Sequence, residues 1–497
     1  MEWLLGKREY KKLQLFRFLY QSSGSFMTLA EIETHFGWSK YMTETLVTEL
    51  IADEKENHIP RHIQLVYDAD TRIIHWLPGY SVSLVRMERK YTLESHAFQL
   101  LIATLKDRPF SLNEIAKKSG VNLNHLNEDK HELNKRLGAS GVRLNSANRL
   151  EGNETVLRIM YERLIFGATD TVDDLGNYFD EETMQCVQRI IGYYEFSQNK
   201  RLTVRRRYIM AITIAVWVAR MDVACFIPRD NDFDVLVDTP DFNPQMAAVY
   251  DKVKQMAEGF TNITPGHLNR EIRYGMTALI SNGFLQASLV ANADRHYFRF
   301  YNGVIDIIKQ QYLRQFRTLM PADTEDDIKT NLDRAMIAFY FLYKIDYRGH
   351  DDQMPRHSLL PEYELFTEQV FDGIREHFGV ESHEIRSRLF AMFYNVFLHA
   401  ISRDVMIPKM TIMLEFDNPG LQQEIESLLR RRYELNIDYI EDPTIADAVL
   451  ADHLMPLAPN KRLFIWQMPP SFAELDVFMH EAVNLTMTRF KNQRDSE

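Results

Sequence analysis

A stretch of 23 residues that occurs twice constrains this chain more than any other feature. Residues 28–50 (TLAEIETHFGWSKYMTETLVTEL) return without a gap, 83 positions on, as residues 111–133 (SLNEIAKKSGVNLNHLNEDKHEL). Leu29/Leu112, Glu31/Glu114, Ile32/Ile115, Gly37/Gly120, Glu49/Glu132 and Leu50/Leu133 coincide. Each copy opens on a hydroxyl residue with Glu three positions later, the pattern of a capping box. A Gly midway relaxes the backbone at a corner, and an apolar-periodic run resumes behind it. Both copies therefore read as helix, tight turn, helix.

In such a unit the second helix is the one offered to a DNA major groove. Ser39, Lys40, Tyr41 and Thr45 are the outward candidates in the first copy. Asn122, Asn124, His125, Asn127 and Lys130 are those in the second. Asn, Ser and Thr suit base edges, and Lys and Tyr suit phosphates; an Asn opening a helix serves equally as a cap. Ala116 allows close helix approach in the second copy, whereas Glu33 stands there in the first. Alternating apolar residues at 62–67 and 72–76 predict a hairpin after the first copy, and 142–150 a shorter one after the second. Helix-turn-helix plus hairpin is a winged helix, with Arg72 and Arg149 as wing contacts to the DNA backbone. A basic helix over 7–21 precedes the first copy.

Charge is uneven along the chain. Residues 1–150 carry 21 Lys+Arg against 18 Asp+Glu, while the remaining 347 carry 37 against 52. A mildly basic front on an acidic body suits local DNA contact without general stickiness. The two cysteines, Cys186 and Cys225, have no metal or redox spacing, which fits a reduced, cytoplasmic setting. The longest apolar run, Ile209 to Ala219, is flanked by Arg207 and Arg220 and falls short of the ~20 residues of a membrane span. It predicts a buried helix.

Helical periodicity continues at about 154–167, 180–197, 203–222, 243–260 and 265–282, then at 295–319, 324–345, 361–378 and 382–403. These sets predict two related all-α modules, joined internally by Phe-Asn-Pro near 242 and the polar loop 346–355. Their histidines show no ligand spacing. Arg205-Arg206-Arg207, opening the apolar helix, reads as an anion site or as snorkelling flanks. After residue 408 short strands alternate with helices, so residues 405–497 predict a small α/β domain with a parallel sheet. Its site would lie beyond the first strand, at Asp417–Gly420. The fold class is mainly α and multidomain: winged helices at 1–85 and 86–153, helical modules at 154–285 and 286–404, and the α/β terminus at 405–497.

This order and length resemble the Mga/AtxA family of global and virulence transcription regulators of Gram-positive bacteria. The likeness covers the whole chain as architecture and is strongest in sequence near 90–165, where the second helix-turn-helix runs into Arg149-Leu-Glu-Gly-Asn-Glu-Thr-Val-Leu-Arg. The resemblance implies that the helical modules are phosphotransferase-regulated domains (PRDs) and that the terminus is similar to the EIIB component of sugar transport. It also implies a homodimeric activator of promoters, with phosphotransferase-system proteins as partners. The chain departs from the family where phosphorylation is concerned. Residues 201–208 carry Arg where the acceptor His would stand, residues 331–344 carry no His, and Asp417 and Asn418 replace the acceptor Cys. No phosphorylation site, cofactor or catalytic residue is carried over. Two other readings compete with DNA regulation. An RNA-binding antiterminator with PRDs would begin with a small β-domain, and a phosphotransferase component would need an acceptor in the α/β terminus.

Overall fold

The computed structural model describes residues 2–21, 26–56, 65–76, 81–106, 110–138, 140–228, 244–259, 263–285, 295–342, 360–379, 383–432, 434–456 and 462–495. The chain is mainly helical and multidomain, with nineteen α-helices and nine short strands among those residues. They divide into two compact units, within 1–290 and within 291–497. Residues 62–64 of the first expected hairpin, 242–243 and the polar loop 346–355 lie outside the described residues.

The first unit opens with α1 (Lys7–Gln21), β1 (Phe26–Thr28), α2 (Leu29–Phe36), α3 (Lys40–Glu56), β2 (Val66–Asp68) and β3 (Ile73–His75). Both β1 and β2 pair antiparallel with β3, so His75 faces Phe26 on one side and Val66 on the other. β1, which periodicity does not announce, ties the start of α2 to the hairpin. Leu13, Phe16 and Leu19 of α1, Leu29 and Ile32 of α2, Leu46, Val47 and Leu50 of α3, and Ile74 and Trp76 close one core. Their 3.6-residue spacing is the cause: each helix has one apolar stripe, and the three stripes cover one another.

The second copy follows as α4 (Ser81–Glu94), α5 (His96–Ala103), α6 (Leu112–Ser119), α7 (Leu123–Gly138), β4 (Arg143–Leu144) and β5 (Leu150–Glu151). Its hairpin is only two residue pairs long, Arg143 opposite Glu151 and Leu144 opposite Leu150. It runs straight into α8 (Glu154–Ala168), and α9 (Glu181–Ser197), α10 (Val204–Asp222), α11 (Pro244–Glu258) and α12 (Pro265–Ser281) complete the unit. α10 packs on α8, α9 and α12 and is buried on every side from Met210 to Met221. That explains the long apolar run without a membrane. Among the described residues no helix is long and apolar enough to cross one. At Gly275 of α12 an added Cβ would sit 2.3 Å from the Trp217 ring, so the α10–α12 approach depends on the missing side chain.

A buried ionic network ties α8, α10 and α12 together. Arg158 donates to Glu154 at 3.0 Å, to both Glu271 oxygens at 2.7 and 3.0 Å, and to the Cys225 carbonyl at 2.8 Å. Arg220 donates to both Glu154 oxygens at 2.9 and 2.8 Å, and to the carbonyl of Leu105, just past α5, at 3.0 Å. The Tyr161 and Thr104 hydroxyls meet at 2.7 Å beside it. The helix-turn-helix region and the helices behind it are thereby bonded through their cores.

The second unit comprises α13 (Arg295–Phe316), α14 (Ala322–Leu342), α15 (Pro361–Phe378), α16 (His383–Ala400), α17 (Arg403–Met406), β6 (Met410–Glu415), α18 (Pro419–Arg430), β7 (Ile437–Tyr439), β8 (Ala448–Ala451), β9 (Arg462–Ile465) and α19 (Phe472–Asp495). The four strands are parallel in the order β7-β6-β8-β9. α19 returns across β6 onto α13 and α15. Thr486 donates to the buried Glu362 at 2.8 Å, and Gln315 to the Phe490 carbonyl at 2.7 Å.

Candidate nucleic-acid interface

The corners of the two copies are built alike. Gly37 and Gly120 both take left-handed backbone, φ 65° and 67°, just past α2 and α6. The next residue closes the turn in each: Trp38 N–H donates to Glu33 O at 3.2 Å, and Val121 N–H to Ala116 O at 3.0 Å. This six-to-one bond is a Schellman closure, and it explains why Gly, which pays nothing for positive φ, stands at both corners. Trp38 then stacks on Phe36 at 4.2 Å and packs against the core of the first copy.

The helix starts differ. Thr28 makes the full capping box, accepting from Glu31 N–H at 3.3 Å while its own N–H donates to the Glu31 carboxylate at 2.8 Å. Ser111 makes no side-chain cap. Its backbone carbonyl takes the N–H groups of Glu114 and Ile115 instead, at 3.0 and 3.3 Å.

The expected DNA-contacting side chains fall into two groups. Among the described residues, Lys40, Asn124, His125 and Arg149 are exposed and have no side-chain hydrogen bond or ion pair, and Tyr41 is 82% exposed. The others engage their own fold. Ser39 Oγ accepts weakly from Met42 N–H at 3.4 Å, Thr45 donates to Tyr41 O at 2.8 Å, and Asn127 donates to Leu123 O at 3.0 Å. Asn122 caps α7, accepting from Asn124 N–H at 2.8 Å. Arg72, at φ 55° in the first hairpin turn, donates to Glu33 at 2.8 Å, and its carbonyl accepts from Leu29 N–H at 3.1 Å. The Glu at the position Ala116 occupies in the second copy is thus a hairpin anchor.

Lys130 is turned toward the second hairpin. It donates to the Asn145 carbonyl at 2.8 Å and to Asn148 Oδ1 at 2.6 Å, and burial draws its ammonium below the usual lysine value. Asn148, at φ 59°, passes the chain of bonds on to the Phe110 carbonyl at 2.9 Å. One turn further along α7, Asn134 exchanges bonds with Leu144 of β4, donating at 3.0 Å and accepting at 2.7 Å. Sequence reasoning missed Asn134 and Asn148. The one signal for Asn148 is its place in a Ser-Ala-Asn-Arg turn, since Asn tolerates left-handed backbone.

The basic residues of α1 are also largely committed. Arg8 pairs with Glu49, and Lys12 donates to Asp53 at 2.6 Å. Asp53 also takes Lys90 at 3.2 Å and the Tyr91 hydroxyl at 2.7 Å, joining the first copy to α4. In the helices behind, Arg206 donates to the carbonyls of Asn282 and Gly283, Arg207 pairs with Glu195 at 2.6 Å, and Arg205 lies over the Phe166 ring at 4.3 Å. In the α/β terminus Asn418 caps α18, accepting from Gly420 N–H at 3.0 Å, and Asp417 N–H donates to Asp452 at 2.9 Å.

The arrangement offers exposed amide, imidazole, phenol and cationic groups on two second helices and one hairpin turn, which suits groove edges and phosphates. Residues 80–165, from α4 into the last turns of α8, match the Mga helix-turn-helix domain. The comparison with curated proteins finds no match. The family match supports membership of the Mga/AtxA-type regulators, and with it a DNA-binding transcriptional regulator of the Mga type.

Proposed function

We propose that this regulator is a cytoplasmic, homodimeric activator that reads promoter DNA with two winged helices, and that its other domains act as non-catalytic controllers of assembly. The observation that carries the reading is the second copy. There the matched Mga domain carries Asn124 and His125 exposed on α7 and Arg149 exposed in its hairpin turn. The first copy adds Lys40 and Tyr41 on the equivalent helix. The helices behind them serve in this reading as PRD-like modules, and the parallel sheet β7-β6-β8-β9 as an EIIB-like terminus without an acceptor Cys.

Selection of duplexes from a random pool with the full-length chain, followed by titration of the selected duplex, tests the reading. Asn124→Ala/His125→Ala should relax sequence preference, since each well-placed base contact discriminates by about 1–3 kcal/mol. Arg149→Ala should weaken all duplexes alike. A chain that enriches no duplex, or a double variant with the parent's preference, would sink it. Light scattering with and without DNA reads the dimer.

A further inference from the structure

Lys130 is the one expected phosphate contact on α7, yet both hydrogen bonds it makes go to the hairpin of its own domain. A lysine bound for phosphate keeps its ammonium in solvent. Here Lys130 is half-buried between α7 and the turn at 145–148. The Asn145 carbonyl that receives it also takes Asn148 N–H at 3.1 Å, so the ammonium completes the turn's own closure. Asn148 Nδ2 carries the link to Phe110, immediately before α6. Asn134 fixes the base of the hairpin to the same face of α7 through a reciprocal pair with Leu144. Three side chains thus hold turn, strand and recognition helix in one geometry. The hairpin needs such help, because its ladder is two residue pairs long, and a short isolated hairpin is marginal in water.

We propose that Lys130, Asn134 and Asn148 form a clamp that sets the angle between α7 and the wing, making Lys130 a positioning residue for DNA reading and not a phosphate contact. This rests on the DNA-binding reading above. The clamp differs from the side-chain ion pair between α2 and the hairpin of the first copy, the partly exposed Arg72–Glu33 pair. A pair of opposite charges near solvent weakens with salt, whereas carbonyl and amide acceptors carry no charge to screen. The first wing is tied to α2 by β1 and by the Leu29–Arg72 backbone bond as well, whereas the two-pair hairpin of the second has no third strand among the described residues and leans on the side-chain clamp.

The test uses the full-length chain with Lys130→Met, which keeps the stem and removes the donors, and Asn148→Gly, which keeps the positive φ and removes the amide. Arg149→Ala serves as the phosphate-contact control. Affinity for the selected duplex is measured from 50 to 300 mM KCl. Loss of one phosphate contact lowers the slope of log K against log [salt] by about 0.9. Arg149→Ala should show that fall. Lys130→Met and Asn148→Gly should bind the duplex several-fold more weakly with the parent's slope. Amide exchange in the hairpin, residues 142–151, should rise about tenfold or more in both, with exchange in α7 unchanged. A slope reduced by about one in Lys130→Met would overturn the proposal, as would parental affinity or parental exchange in the hairpin. If the parent chain binds no duplex, the DNA-binding reading fails and the proposed role of the clamp fails with it; amide exchange then shows separately whether the clamp exists.

Discussion

Glu271 has no exposed surface, and its two oxygens accept four hydrogen bonds: two from Arg158, one from the Trp217 indole at 2.9 Å and one from Ile227 N–H at 2.8 Å. Such a group is stable only as a set, because each charge has given up its water for its partners. Glu271→Ala strands Arg158 in the core and should cost about 3–5 kcal/mol in urea unfolding; a loss under about 1 kcal/mol would show that water reaches the site. Asp180 shows the milder case. The Lys106 ammonium, 2.8 Å away, and the cap bonds from Thr183 bring its carboxyl from an ordinary 3.8 down to about 2. A carboxyl with a lowered folded value stabilises above the unfolded value and loses that contribution as pH falls through the folded one. The stability gap between the parent and Asp180→Asn should therefore be full at pH 5 and close between about pH 4 and 2. Because both side chains are well exposed, the gap should also shrink in high salt.

At the scale of elements, the two helix-turn-helix copies share a pattern but differ in how each helix begins. Thr28→Ala removes a hydrogen-bonded cap and should cost about 1 kcal/mol. Ser111→Ala removes a side chain that caps nothing and should cost less than half of that, read as a shift of the thermal unfolding midpoint. Equal losses would place Ser111 in a cap in solution. The contrast also shows what a sequence can disclose. The Gly corners and the apolar stripe of each helix were legible because their causes lie within four residues: a positive φ needs Gly, and a stripe needs a 3.6 period. The caps were half legible, since Ser and Thr permit a cap without enforcing one. β1 was not, because three residues carry no period and its partner β3 lies far along the chain. Lys130 looked like a DNA contact for a similar reason. Its acceptors, a carbonyl and an amide in a turn 15 to 18 positions on, leave no trace in the periodicity of α7. Glu33 read as a packing fault until Arg72, 39 positions away, supplied its partner.

At the scale of the molecule, the two units each have a buried core and a buried carboxylate of opposite character. Glu271 in the first unit is matched by a guanidinium. Glu362 in the second is 1% exposed and, among the described residues, has only a hydroxyl, from Thr486, and its own backbone for company, so burial pushes its carboxyl above the usual value. Such a group is at ease when protonated, and its folding contribution is present at low pH and lost as pH rises from the unfolded toward the raised folded value. The two units should therefore melt as separable calorimetric transitions that respond to different substitutions. Glu271→Ala should lower one transition and leave the other in place. Glu362→Gln, which keeps the shape and removes the charge, should raise the second transition at pH 8 and coincide with the parent near pH 4. One common transition moved by both variants would mean that the units unfold as a single body. A Glu362→Gln chain that melts lower at pH 8 would mean that the ionised carboxylate is itself what anchors α19 to α15.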